Sequence, residues 1–375
     1  MGAKVLLRFA GAVVCAALLG ACSSTADKPK PSPLPAFTAA FQIDKVWTSR
    51  IGEVHAPLSA SVHGQQVALV SSAGDLALIR ADSGQDIWRL ALKERIQAGV
   101  GGDGQRFAVV TLGNELVTVE SGREIWRVRL QALTYTAPLV AGGRVFVLTA
   151  DRTVMAFDGA SGQRLWVQQR NADPLVLRQA GVLSAWGDTL LVGVGGRLLG
   201  LNPLNGTPRW EVIVGSSRGT NEVERLVDLV AGLSRQGNVV CARAFQVSVT
   251  CLDASRGSVL WSRPAQGHQG LDGDEARIYG SESDGKVLAW SRETTQTAWT
   301  QEALRFRGLT APLVMGSSLV LGDESGWLHF LSRENGQPVQ RLATDGSPVV
   351  LRPVLAGQTL VVVNRSGQVT GYRTQ

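Results

Sequence analysis

The sequence predicts an all-β fold, an eight-bladed β-propeller of four-stranded antiparallel blades whose ring is closed by an N-terminal strand. Three observations predict it. A turn, strand, glycine turn and Trp recur along the chain. The copies number eight, and the two chain ends carry complementary parts of one blade.

The repeat is clearest as Gly74-Asp75-Leu76-Ala77-Leu78 followed by Asp82-Ser83-Gly84 and Trp88. It returns as Val154-Met155-Ala156-Phe157-Asp158, Ser161-Gly162 and Trp166. Weaker copies run from Leu116 to Trp126, Leu198 to Trp210, Val249 to Trp261 and Val287 to Trp299; a seventh reaches Gln340, where the Trp is lost. Each copy follows a polar or glycine turn and a β-branched run, such as Gly187-Asp188-Thr189-Leu190-Leu191-Val192, which reads as short strands with turns between them. A fixed period of this kind has to be settled before any single motif is interpreted.

The eighth copy, Gly367 to Tyr372, stops before its Trp-bearing strand, whereas Phe41 to Thr48, with Trp47, is a strand to spare. Joining the two covers sheet edges that an open ring would leave unpaired. Residues 41–375 number 335, so eight blades average about 42 residues, within the range of four-stranded propeller repeats.

The recurrent Trp suits the wedge between neighbouring blades, where its ring is buried and its N–H finds a backbone acceptor. Asp82, Asp158, Asn202 and Asp253, expected at the ends of third strands, read as turn residues ahead of a positive-φ glycine and not as metal ligands.

Ahead of the repeats, Lys4 and Arg8 precede an apolar run from Phe9 to Leu19 and then Leu19-Gly20-Ala21-Cys22. Residues 1–21 therefore read as a lipoprotein signal peptide. The run is too short to span a bilayer permanently, and Cys22 is the expected lipidation site, anchoring the mature chain. Ser23, in place of an aspartate that would favour inner-membrane retention, points to the outer membrane. Residues 22–40 combine the lipidated Cys with the proline-rich Lys28-Pro29-Lys30-Pro31-Ser32-Pro33, a composition expected to act as a flexible tether; residues 41–375 form the propeller. Without Lys4 and Arg8 the formal charge falls from +6 to +4. The remaining cations are scattered, which argues against nucleic acid as a partner.

The Leu/Ala-Leu-Asp…Gly…Trp repeat resembles that of pyrroloquinoline-quinone dehydrogenases. With the lipobox, the tether, the eight copies and the stretch Gly322-Asp323-Glu324-Ser325-Gly326-Trp327-Leu328-His329, the whole chain resembles the BamB family, lipoprotein subunits of the outer-membrane β-barrel assembly machinery. That resemblance implies a non-catalytic periplasmic scaffold without a cofactor. It would bind the periplasmic repeat domains of the assembly barrel, assist insertion of other barrels, and could offer blade edges to nascent outer-membrane proteins by strand addition.

The family's partner-contacting loops are similar to Pro174–Arg178 and Asn221–Asp228 here, which implies contacts by Leu175, Leu177, Arg178, Glu222, Arg225 and Asp228. A second acidic residue of the family's pattern is Val230 in this chain. Read from the residues alone, Leu175 and Leu177 lie two apart in an extended segment beside Arg178. That is either an apolar pair at a protein interface or the core face of a strand; the resemblance favours the interface.

Other chemistry is weaker. Gly99-Val100-Gly101-Gly102-Asp103-Gly104 has dinucleotide-fingerprint spacing, but another strand follows it, so no helix N-terminus receives a pyrophosphate. Gly215-Ser216-Ser217-Arg218-Gly219 fits a nucleophile elbow without the parallel sheet or triad histidine that chemistry requires. His55, His63, His268 and His329 fall in different repeats, with no spacing for zinc. A quinone-dependent dehydrogenase would need a convergent acidic set for calcium; a ligand-binding or cell-wall-binding propeller would need polar groups converging on its channel. Cys241 and Cys251 lie on consecutive strands whose hairpin centres near Gln246, and a disulfide between them is expected in an oxidising compartment.

Overall fold

The structure is a computed structural model describing residues 29–55, 57–170, 175–216 and 226–374. Contacts divide the chain into residues 1–31 and a body from Ser32 onward, and the body is the subject here. Cys22 lies outside the described residues. Among those residues no helix is long and apolar enough to cross a membrane.

Among the described residues, thirty-two strands form eight separate four-stranded sheets. Seven are consecutive antiparallel meanders: blade 1 spans Ser61–Ala91, blade 2 Ile96–Arg129, blade 3 Leu139–Gln169, blade 4 Leu183–Ile213, blade 5 Ser234–Pro264, blade 6 Asp272–Gln301 and blade 7 Leu313–Ala343. Blade 8 takes three strands from Val354–Thr374 and its outermost from Ile43–Arg50, which pairs antiparallel with Gln368–Thr374. The ring closes as the chain ends predict. First strands touch first strands at seven of the eight intervals, blade 8 against blade 1 included, so they face the axis.

The core lies in the wedges between blades. One apolar cluster joins Val110, Leu116 and Trp126 of blade 2 to Val145, Val147 and Phe157 of blade 3. In seven of the eight wedges the fourth-strand Trp reaches the turn between the last two strands of the next blade. Trp126 Nε1 donates to Gly159 O at 2.9 Å, Trp166 to Pro203 O at 3.0 Å, Trp261 to Arg292 O at 2.8 Å and Trp47 to Ala81 O at 2.8 Å. The turn glycine is doubly required: Gly162 has φ +72°, and a Cβ there would lie 2.7 Å from the Trp126 indole. All eight blades shift register by a bulge between third and fourth strands beside this position, as between Ala156 and Phe157.

Asp158, Asn202 and Asp253 act as turn residues: Asp158 Oδ1 accepts the Ala160 and Ser161 N–H groups at 3.1 and 2.8 Å, and Asn202 and Asp253 make matching bonds. Asp82 is a correction. The equivalent position is Arg80, whose carbonyl accepts Gly84 N–H as that of Asp158 accepts Gly162 N–H, both at 2.9 Å. Asp82 sits two residues further into the turn and its carboxylate meets only the Ser83 hydroxyl among the bonds of the described residues.

The glycine run of blade 2 belongs to the strand Ile96–Gly102 and packs closely: a Cβ on Gly101 would stand 1.7 Å from Pro138 O. In blade 7 the missing Trp is replaced by Gln340, whose Nε2 donates to Phe41 O at 2.6 Å. The Phe41 ring meets Phe330 edge-on at 5.8 Å, filling the wedge toward blade 8. Residues 32–40, assigned from composition to the tether, lie extended along blade 7. A proline-rich segment cannot build a core of its own, but it can lay single apolar side chains on a surface already formed.

Candidate partner-docking site

In a four-stranded meander, the turn between the second and third strands falls at the same end as the connections between blades. A repeated backbone bond ties these two kinds of segment together. Ser72 N–H donates to Glu53 O, Leu112 to Arg95 O, Ala150 to Leu133 O, Phe245 to Asp228 O, Ser283 to Gln266 O, Glu324 to Arg307 O and Arg365 to Pro348 O, all within 2.6–3.0 Å. Each turn is thereby fixed to the connection entering its own blade. Both family-like loops belong to this end.

At blade 3 the turn carries Arg152, a non-glycine residue at φ +64°. Its side chain is directed toward the connections before and after blade 4. Nη1 meets Asp228 Oδ1 at 2.5 Å, Nη2 donates to Leu175 O at 3.0 Å, and Asp228 Oδ2 accepts Leu177 N–H at 2.8 Å. Both charged side chains are only 10% exposed. One buried ion pair therefore grips the backbone of residues 175–177 at two points. A charge removed from water is tolerated when paired and hydrogen-bonded in this way.

The clamp leaves Leu175, 39% exposed, and Arg178 on the surface, while Leu177 is half-buried. Asp228, which the resemblance implies is a contact residue, is itself inside: both its oxygens are taken, and it positions the loop. Val230 is buried too, its N–H donating to Arg243 O at 3.0 Å, so an apolar residue suits that place. Glu222, Arg225 and Pro174 lie outside the described residues, as does Ser217 of the elbow-like motif. Sequence reasoning missed Arg152. Its only local signal is a turn position where a glycine would be ordinary.

A cavity of about 1190 Å³ with a mixed lining opens between blades 5 and 6 at the same end, bordered by Gln246, Arg263, Glu282 and Lys286 and by the apolar Val247, Leu288 and Trp290. Beneath it Arg243 is fully buried and pairs with Glu282 at 3.0 Å; burial pushes its pKa down, against the pull of Glu282. Cys241 and Cys251 are directly opposite on adjacent strands of blade 5 and joined by a disulfide. Among the described residues no group of three or more His, Cys, Asp or Glu is placed to hold a metal.

A family model described as outer membrane protein assembly factor BamB matches residues 72–301. The BamB protein of Burkholderia pseudomallei is 36% identical over 378 residues, covering 99% of both chains. The chain belongs to the BamB family. The BamB protein of Bordetella pertussis is 30% identical across 97% of this chain and 96% of its own. Among solved structures, BamB from Moraxella catarrhalis superposes with a TM-score of 0.80 at 23% identity, over 88% of this chain and 100% of that one. A quinohemoprotein alcohol dehydrogenase from Pseudomonas putida gives 0.70 at 13% identity, over 89% of this chain and 76% of that one, a likeness of fold alone. The BamB relatives match end to end, which the dehydrogenase does not.

Proposed function

We propose that this chain is a non-catalytic scaffold in assembly of outer-membrane β-barrel proteins. It is held at the outer membrane, facing the periplasm, by lipid on Cys22, and docks onto the periplasmic repeat domains of the assembly barrel. The Arg152–Asp228 clamp carries the docking reading. It fixes a loop in advance while leaving an aliphatic side chain and a guanidinium outside, and pre-ordering a contact loop lowers the entropic cost of association. Leu175 and Arg178 are the direct contacts, with Leu177 at their edge; Glu222 and Arg225 extend the same loop cluster in sequence. Nascent barrel strands are a second class of partner, recognised at blade edges by backbone pairing.

The test replaces Leu175 with Asp and Arg178 with Glu in the full lipidated chain and measures co-purification of the assembly barrel. Recovery should fall at least tenfold with the unfolding transition unchanged. Unchanged recovery would overturn the assignment. This reading assigns no cofactor; quinone binding with calcium-dependent dye reduction would replace it by the dehydrogenase alternative.

A further inference from the structure

The extended run Ser32–Phe41 is held to blades 6 and 7 along its length. At its start, Ser32 N–H donates to Arg305 O at 2.9 Å and Arg307 Nη1 donates to Ser32 O at 3.0 Å. Arg307 is immobilised from behind, its Nε on the fully buried Asp323 at 2.7 Å. Leu34 then packs on the cluster that holds Trp299, Leu304 and Leu309. Arg341 donates from Nη1 to Pro35 O at 3.2 Å, and its guanidinium lies between Phe37 and Trp327, 5.3 and 5.4 Å from the two rings. Ala40 N–H donates to Val339 O at 2.8 Å, and Phe41 closes the run in the wedge left by the missing Trp.

Aromatic and guanidinium surfaces receiving an extended Pro-x-Pro segment are a recognised peptide-binding arrangement, because proline is extended before it binds and loses little freedom. Here Pro33 and Pro35 flank Leu34, and neither brings an N–H that needs a partner. We infer that the rim of blades 6 and 7 is a binding groove for an extended proline-rich peptide, that its occupant is the chain's own Ser32–Phe41, and that occupancy sets where the anchored chain leaves the ring.

The consequence is a change of reach, and it rests on the lipid-anchor reading of Cys22. Were residues 22–42 all free, the 21 steps from Cys22 to Ile43 would extend to about 70 Å at ~3.4 Å per residue. With Ser32 fixed, ten steps remain, or about 35 Å. Ser32 is fixed on the connection between blades 6 and 7, and all such connections share the end that carries Leu175 and Arg178. Three of eight blade intervals separate the two places, about 135° around the ring. The groove thus makes the anchored chain leave the ring from the docking end and shortens the free segment that links that end to the membrane.

Hydrogen exchange on the full lipidated protein tests the groove. The Ser32 and Ala40 amides should be protected, and in L34D/F37A, which leaves Phe41 in place, they should exchange at least tenfold faster. A synthetic peptide of residues 30–42 should bind that variant and not the native chain. Native amides exchanging as in a free peptide, or a peptide ignored by the variant, would overturn the inference. The reach is read in liposomes from a dye on Glu53→Cys, with Glu53 exposed at the docking end. Energy transfer to a lipid acceptor should be stronger in the native chain than in L34D/F37A, and equal transfer would overturn the reach. A chain that does not associate with liposomes refutes the anchor reading instead, while the exchange result still stands.

Discussion

Arg152 and Asp228 are 76 residues apart in sequence and 2.5 Å apart in space, and the loop expected to meet a partner is held between them. Removing one charge of a buried pair leaves the other uncompensated, at a cost of about 3–5 kcal/mol. Asp228→Leu and Arg152→Met should therefore each destabilise by roughly that amount, and the two combined by clearly less than their sum, in urea unfolding analysed as a double-mutant cycle. Single substitutions costing under about 1 kcal/mol, the level of an exposed pair, would remove the clamp as a structural element.

The wedge contact separates two causes of glycine preference. Gly162 combines positive φ with a Trp126 ring where its Cβ would stand; Gly142 has φ +57° and nothing within 4 Å. Gly142→Ala should cost about 1–2 kcal/mol, from the left-handed backbone alone. Gly162→Ala should add an overpacking cost of about 1–3 kcal/mol, and Trp126→Ala should cost about 3–5 kcal/mol. Equal melting temperatures for the two glycine variants would show that the indole yields freely.

Blade count and ring closure were legible because the signals are local: a Trp, a turn glycine and a β-branched run recur in most copies, and Trp47 supplies what Gly367–Tyr372 lacks. What escaped depends on residues distant in sequence. Ser32–Phe41 reads as tether by composition, since Arg341, which receives Phe37, lies some three hundred residues away. Asp228 reads as a surface acid because Arg152, which buries it, sits in another blade. Leu175 and Arg178 were legible only through the family likeness; spacing alone could not separate an interface pair from a strand's core face.

The Cys241–Cys251 disulfide closes a loop with a sequence separation of 10. Peptide mapping without reductant should give one cross-linked species, two mass units below the sum of the free peptides. Replacing both by Ala should cost about 2–3 kcal/mol on the chain-entropy account of so short a loop. Free thiols at both positions would show that the pair packs without bonding.

His329 offers a pH test. It is buried, and burial depresses its pKa despite the adjacent Asp323; Arg307 and Arg341 push the same way as burial. Asp323 has burial against it, but bonds from His329, Trp327 N–H and Arg307 hold its carboxyl below the ordinary range. Stability rises with pH wherever the unfolded chain binds more protons. Above about pH 7.5 both states hold His329 neutral. As pH falls through its ordinary value of 6.5, the unfolded chain takes up a proton that the folded chain resists, so stability drops toward the depressed folded pKa. Asp323 contributes its own stabilisation above the ordinary carboxylate range and loses it as acid reaches its lower folded pKa. His268, also depressed by burial and by Arg243, adds to the first window. His329→Gln keeps a donor for Asp323 without the titration, so it should flatten the fall in unfolding free energy between pH 7.5 and 5.5. His268→Gln should flatten the remainder. An unaltered slope in His329→Gln would mean that His329 protonates as readily in the folded chain as in the unfolded one, and that burial and Arg307 do not exclude the proton.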